Sequence, residues 1–265
     1  MTTTHSPAPT RPGGSTAVVA VPFARLVRVE LAKAVASRAG GWLLTAVALG
    51  LAAIVTVRLL TAEADELTLR GFAEVTSTPL SLLLPLLAIL TITTEWSQRT
   101  ALGTFTLEPS RVRVVLAKLA AVTTVGLLAV LAALLAAAVG NLLGSTLLDG
   151  SGSWRLPASE VGDLVLTQTV AVLQGFAFGL LLRSTAAAIV VHYLVAPVVS
   201  TVLTLFDGLE GAAAWLDLST ALVPLSAGSA SSQDWAGVAS AATLWLLVPL
   251  GVGLVRLLRG EIKPD

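Results

Sequence analysis

The chain has 265 residues, of which 55% are hydrophobic and only 12% are charged, and its 16 basic side chains are matched by 16 acidic ones. A soluble domain needs about twice this charged fraction to cover its surface. The absence of cysteine excludes disulfides, thiolate metal sites and cysteine nucleophiles. This composition predicts an integral membrane protein, with a lipid bilayer as its surroundings and no nucleic acid as a partner.

The first 39 residues precede the long apolar stretches. Residues 1–17 are rich in Thr, Pro, Ser and Gly, which predicts a disordered cytoplasmic tail. Residues 18–39 place apolar side chains on one side of a helix and three basic ones on the other: Arg25, Arg28 and Lys33. Glu30 departs from this pattern. We expect an amphipathic helix lying on the membrane surface.

Six apolar stretches follow, each close to the roughly 20 residues that a helix needs to cross the hydrocarbon core. They lie at approximately 40–60, 75–94, 119–140, 164–182, 186–206 and 235–254. None shows the alternation of a membrane β-strand. The sequence therefore predicts an all-α polytopic transmembrane domain over residues 40–260, followed by a cytoplasmic tail at 261–265.

The segment between the fifth and sixth stretches is harder to assign. Residues 211–226 are too short and polar for a seventh crossing, so a re-entrant piece and an interfacial piece both stay open. For Gly208–Asp234 we predict short helices at the outer interface, with Trp215 and Trp235 at headgroup depth. Four acidic residues are expected to face water: Asp207, Glu210, Asp217 and Asp234.

The basic residues predict the orientation. With the N-terminus inside, 13 of the 16 basic residues are cytoplasmic, and Arg58, Arg70 and Arg155 are outside. Positive charge concentrates on the cytoplasmic side of membrane proteins. We therefore expect a multi-pass protein of the plasma membrane with both termini in the cytoplasm.

Signatures of catalysis are missing from the sequence. No lysine follows a glycine, so there is no P-loop, and the two histidines, one of them in the tail, do not form a His-rich metal motif. The acids cluster outside the apolar stretches, which gives no carboxylate relay. We predict no enzymatic activity, no cofactor and no metal. Gln168, Gln174 and His192 are candidates for polar residues of a transport pathway, and hydrogen bonding between helices is the ordinary alternative.

The connection between the second and third stretches carries the strongest functional signal. It leaves the membrane at Glu95 and Trp96, continues through a half-apolar stretch with Phe105 and Leu107, and ends in a basic cluster. Such a piece would fold as a helix along the cytoplasmic face. An ordinary loop that only anchors the topology is the alternative.

This segment resembles the coupling region of type-2 ATP-binding-cassette permeases, especially the small six-span exporters of actinobacteria. The matching positions are Glu95, Trp96, Thr100, Thr104, Pro109, Arg111 and Lys118. The stretch from Glu30 to Trp42 is similar to the family's connecting helix. Arg99 departs from the pattern, since many members have Gly there.

The resemblance implies a permease subunit that dimerises with itself or with a similar permease. Two ATPase subunits would dock at the cytoplasmic face, and the substrate would be a small hydrophobic or amphipathic molecule, mostly exported in this family. Arg99, Glu108 and Arg111 are the residues we expect to contact the ATPase, because the topology does not depend on any one of them.

Two other classes of protein stay open. A secondary transporter or channel would show internal repeats or acids within the spans. A non-transporting assembly or sensor protein is the third class. An ATPase gene beside this one would favour the permease.

Overall fold

The computed structural model describes residues 21–97, 110–206, 209–226 and 231–259, and every long regular element in these ranges is helical. The α-helices are α1 (Phe23–Ala36), α2 (Arg38–Thr61), α3 (Leu69–Ser97), α4 (Arg111–Leu147), α5 (Ala158–Leu182), α6 (Thr185–Val190), α7 (Ala196–Leu205), α8 (Glu210–Leu216), α9 (Leu218–Ser226), α10 (Ser232–Ala242) and α11 (Val248–Arg259). Two π-helical turns, Val191–Val195 and Thr243–Leu247, join α6 to α7 and α10 to α11.

Six helical segments are long and apolar enough to cross a membrane. They are Arg38–Thr61, Leu69–Thr94, Arg111–Leu147, Ala158–Leu182, Thr185–Leu203 and Ser232–Arg259. The all-helical class and the six predicted spans are therefore confirmed for the described residues. The largest difference is in the third span, predicted over 119–140 and observed as the 37-residue helix α4.

Hydrogen bonds at the two ends of the bundle show that successive spans run in opposite directions. At one end the connections after α2 and α4 meet, since Ser151 N–H donates to the Ala64 carbonyl at 2.8 Å and Leu69 N–H to the Ser153 carbonyl at 2.9 Å. We call this the loop end, formed by residues 62–68 and 148–157. The other end, the α1 end, contains α1, the start of α4 and the last turns of α5 and α11.

The centre of the bundle is the packing of α3 against α4 and α5. Leu84, Val122 and Phe176 are buried in its main apolar cluster. Glycine allows α5 to approach α3 closely: a Cβ at Gly175 would lie 2.8 Å from the Pro85 carbonyl oxygen, and one at Gly179 would lie 2.4 Å from Ile92 Cγ2. Small residues commonly permit such contacts between membrane helices.

The helices α8 and α9 form a short hairpin between the fifth and sixth spans. The indole N–H of Trp245, near the middle of the sixth span, donates to the Leu216 carbonyl at the turn of the hairpin at 2.6 Å. On the other side, Leu218 and Ala221 pack in a cluster with Val170, which lies near the middle of α5. The hairpin therefore enters the bundle from the loop end and packs its turn against α5 and the sixth span.

This hairpin corrects one expectation. Asp217 does not face water: it is 8% exposed, and its carboxylate accepts hydrogen bonds from the hydroxyls of Ser200 (3.0 Å), Ser219 (2.8 Å) and Thr220 (2.6 Å). It also accepts from the Thr220 backbone N–H at 3.0 Å, as an N-cap residue does. Trp215 lies in the last turn of α8, and its position at headgroup depth stays a prediction.

Candidate functional site

The helix α1 packs mainly against α4 and less extensively against α2. Its packed face follows the spacing of an α-helix. Leu26, Val27 and Leu31 are half-buried on this face, and Glu30 and Ala34 are buried. An acidic residue therefore occupies the middle of this contact.

Glu30 forms a buried ion pair with Lys118 of α4. The Lys118 ammonium lies 2.5 Å from Glu30 Oε2, and its side chain is 3% exposed. The Lys33 ammonium lies 2.7 Å from Oε1, so both carboxylate oxygens are bound to cations. Burial by itself raises the pKa of Glu30, but Lys118 and then Lys33 outweigh it, and the pKa lies below its usual range. Glu30 is thus held as a carboxylate, and its charge joins two elements 88 residues apart in the sequence.

Both ends of α1 are also fixed. At its start, the Arg113 guanidinium of α4 donates to the Val21 carbonyl. At its end, Ser37 caps α2 by accepting the Gly40 N–H at 3.0 Å. A Cβ at Gly40 would lie 1.8 Å from the Ala34 carbonyl oxygen, so the turn between α1 and α2 needs glycine there. The contact between α1 and the first two turns of α4 is named the α1–α4 clamp: Val21, Glu30, Lys33, Arg113 and Lys118.

Next to the clamp, arginines join α4 to the ends of two further helices, α11 and α5. The Arg111 guanidinium donates to the Leu257 carbonyl of α11 at 2.6 Å, and Arg256 donates to the Leu181 carbonyl of α5 at 2.8 Å. These carbonyls lie in the last turns of their helices, where cations interact favourably with the helix dipole. Arg183 lies close by, with a positive φ of 52°. Its burial, followed by the nearby Arg256 and Arg111, lowers the pKa of its guanidinium.

The predicted coupling residues divide into three groups in the structure. Glu95 and Trp96 lie in the last turn of α3. Five others lie outside the described residues, and their contacts with an ATPase stay predictions: Arg99, Thr100, Thr104, Glu108 and Pro109. Arg111 and Lys118 are described, and both form contacts within the chain. Arg111 also contributes to the fold, because its guanidinium links α4 to α11, and its contact with an ATPase stays a prediction.

The three candidate pathway residues do not share one contact. Gln168 is 2% exposed, and its side-chain N–H donates to the Ser77 carbonyl of α3 at 3.4 Å. Gln174 is half-buried on the same helix. His192 lies in the first π-helical turn, with its ring 6.3 Å from that of Phe178. Bonding between helices accounts for the Gln168 amide nitrogen, and its oxygen has no partner among the described residues.

Sequence reasoning missed the role of Glu30. The sequence did contain a sign of it, because an acid on an otherwise apolar helix face needs a partner when that face is buried. Lys118, a lysine at the start of an apolar stretch, is a matching sign for the partner. The pairing itself was not readable, because nothing in the sequence connects two sites so far apart.

Comparison with protein-family models and with curated proteins gives no match to this chain. The class that the structure supports is an all-helical protein with six helices long and apolar enough to cross a membrane.

Proposed function

We propose that this chain is the membrane-spanning permease subunit of an ATP-binding-cassette transporter, driven by a separate ATPase. The supporting observation is the α1–α4 clamp. The clamp binds the start of α4 to α1, at the end of the bundle that carries most of the cations. Helix α4 directly follows the predicted coupling segment. A displacement of the segment between α3 and α4 would thus reach α1 as well as the spans.

The polar contacts at this end give the mechanism. Glu30 and Lys118 join α1 to α4, Arg111 joins α4 to α11, and Arg256 joins α11 to α5. A push on the start of α4 is therefore passed to two other spans through direct hydrogen bonds. ATP hydrolysis belongs to the partner, and the chain contributes docking and the movement of its helices.

The α1 end is proposed to face the cytoplasm of a cell whose plasma membrane contains the protein. Ten of the basic residues in the described ranges lie at this end: Arg25, Arg28, Lys33, Arg38, Arg111, Arg113, Lys118, Arg183, Arg256 and Arg259. Only Arg58, Arg70 and Arg155 lie towards the loop end within the same ranges. The positive-inside bias supports this orientation. Two permease subunits, identical or similar, would form the complete pathway for a small hydrophobic or amphipathic substrate, and export is the proposed direction.

The experiment that tests the proposal is reconstitution with an ATP-binding-cassette ATPase, sought first among the neighbours of this gene. The two proteins are co-expressed, purified through a tag on the permease, and assayed for co-purification and for ATPase turnover in lipid nanodiscs. We expect a complex whose turnover exceeds that of the ATPase alone. The variants Arg99→Glu and Glu108→Arg should weaken both readouts, since losing one partner of a desolvated charge pair at an interface costs about 2–5 kcal/mol.

Arg25→Glu is the matched control, because Arg25 is exposed on α1, at the same end of the bundle but outside the segment. It should leave both readouts near those of the unmodified protein. Arg111 is unsuitable for this test, since its removal also breaks the hydrogen bond to Leu257. A neighbouring ATPase that neither binds nor responds to this chain would contradict the proposal.

A further inference from the structure

A groove opens near the loop end between α3, α4 and α5, away from the α1–α4 clamp. Its volume is about 290 Å³. Apolar side chains form part of its wall: Ala73, Leu134, Leu156, Val161 and Leu164. The remaining wall is polar or charged: Arg70, Glu74, Ser77, Glu160 and Asp163. Concave sites with apolar walls and a few convergent polar groups are where small molecules bind proteins.

The charges of the groove do not cancel. Arg70 Nε lies 3.2 Å from Glu160 Oε2, so this cation and this acid neutralise one another. Glu74 and Asp163 add two further negative charges, one from each of two facing helices. The groove therefore attracts a positive charge. Within the described residues, no three acidic or histidine side chains are grouped closely enough to hold a metal ion, which favours an organic cation over a divalent one.

From the shape and the charge of the groove we propose that it binds an amphipathic organic ammonium ion. Its apolar body packs against Leu134, Leu156 and Leu164, and its charged end lies between Glu74 and Asp163. A primary ammonium has three donors and no acceptor, which matches a pair of carboxylates. This site is formed by one chain alone, so it can be tested without an ATPase and independently of the proposed transport.

Binding is measured on the purified protein in a non-ionic maltoside detergent at low ionic strength, by isothermal titration calorimetry. The three compounds are phenethylammonium, the neutral analogue 2-phenylethanol and the anion 2-phenylacetate. We expect saturable binding of phenethylammonium alone, weakened by added salt because the attraction is partly exposed to water. Equal binding of phenethylammonium and 2-phenylethanol would overturn the proposal.

Variants locate the site. Glu74→Gln and Asp163→Asn should each raise the dissociation constant by about fivefold or more, because each removes a charge close to the ammonium. Asp65→Asn is the matched control: Asp65 is an exposed acid of the loop end that does not line the groove, so its loss should change the constant by less than about twofold. If Asp65→Asn weakens binding as much as the other two, the attraction is a general surface effect and the proposal is wrong.

The melting temperature of each variant is recorded to verify that it is folded. If neither Glu74→Gln nor Asp163→Asn changes the dissociation constant, the groove does not bind the cation and the proposal is wrong.

Discussion

The two ends of the bundle treat their charges differently. At the α1 end, Lys118 is buried with Glu30, and the half-buried Arg111 binds the Leu257 carbonyl. At the loop end, the ion pair of Arg70 with Glu160 lies in the wall of an open groove, and the Arg70 side chain is 68% exposed. Buried pairs tie helices together, whereas exposed carboxylates stay available to a ligand. This difference agrees with the proposed linkage at one end and the proposed cation binding at the other.

The orientation of these two ends gives an all-or-none test. Because the chain has no cysteine, single cysteines can be labelled without interference. Ser151→Cys at the loop end should react with a membrane-impermeant maleimide in intact cells, and Ser110→Cys at the α1 end only after permeabilisation. Both should be labelled once the membrane is opened. The opposite pattern would place the α1–α4 clamp outside the cell.

Removing Lys118 should have the largest effect on stability. Lys118→Met leaves the Glu30 carboxylate buried without its closest partner, and breaking a buried pair in this way costs about 3–5 kcal/mol. The measurement is unfolding in mixed detergent micelles. The double variant Glu30→Met with Lys118→Met should recover most of the loss, because an apolar pair of similar volume has no charge to desolvate. Arg25→Met, at an exposed site, is the control. A loss as large for Arg25→Met would contradict the comparison.

Gly40→Ala should displace α1 without altering any charge. Its methyl group would meet the Ala34 carbonyl oxygen, so a loss of about 1–3 kcal/mol is expected. Gly41→Ala is the matched control, since its nearest neighbouring atom would be 3.8 Å away. That change should be neutral or stabilise the helix by up to about 1 kcal/mol. Similar melting temperatures for the two variants would show that the turn is not tightly packed.

Acid should weaken the α1–α4 clamp. Because the pKa of Glu30 is lower in the folded protein than in the unfolded chain, the carboxylate contributes stability above the ordinary value of about 4.3. That contribution is lost as the pH falls through the folded value. The unmodified protein should therefore lose melting temperature below about pH 4 more steeply than the double variant Glu30→Met with Lys118→Met. Parallel pH profiles would mean that Glu30 does not titrate in this range.

The smallest expected effect is at the loop end. Arg70→Met breaks the ion pair with Glu160, whose side chains are 68% and 27% exposed, and should cost less than about 1 kcal/mol. The same change removes the only cation of the groove wall within the described residues. Phenethylammonium should therefore bind more tightly to this variant. A loss of several kcal/mol would remove the distinction between the two ends.

The spans were predictable because membrane thickness and apolar content constrain them strongly. The sequence placed the third span at 119–140, whereas α4 begins at Arg111. Hydropathy excludes Arg111, Arg113 and Lys118 from an apolar segment, although the structure accommodates each of them by a contact to another element. The error at this boundary therefore comes from pairings that a local pattern does not contain.

The candidate site was only partly predictable. The positions of Glu74, Glu160 and Asp163 in the sequence place them outside the predicted apolar stretches. That they line one groove together with Leu134 depends on how three helices pack. Asp217 was predicted to face water because acids between spans commonly do. Its burial depends on Ser200, Ser219 and Thr220, which supply three hydroxyls and two backbone N–H groups that replace water around the carboxylate. Short-range capping was visible in the sequence, and the contact with Ser200 was not.

The two π-helical turns have a consequence for the tolerance of this protein to deletions. A π turn contains one residue more than the α-helix it interrupts. Each side chain after the turn therefore points about 100° away from where it would point if the same sequence formed an uninterrupted α-helix. Deleting one residue from Val191–Val195 or from Thr243–Leu247 would convert the turn to regular helix. Elsewhere in a span such a deletion rotates every later side chain away from its partners. In these two segments the turn itself absorbs the loss, so α7 and α11 keep their present faces.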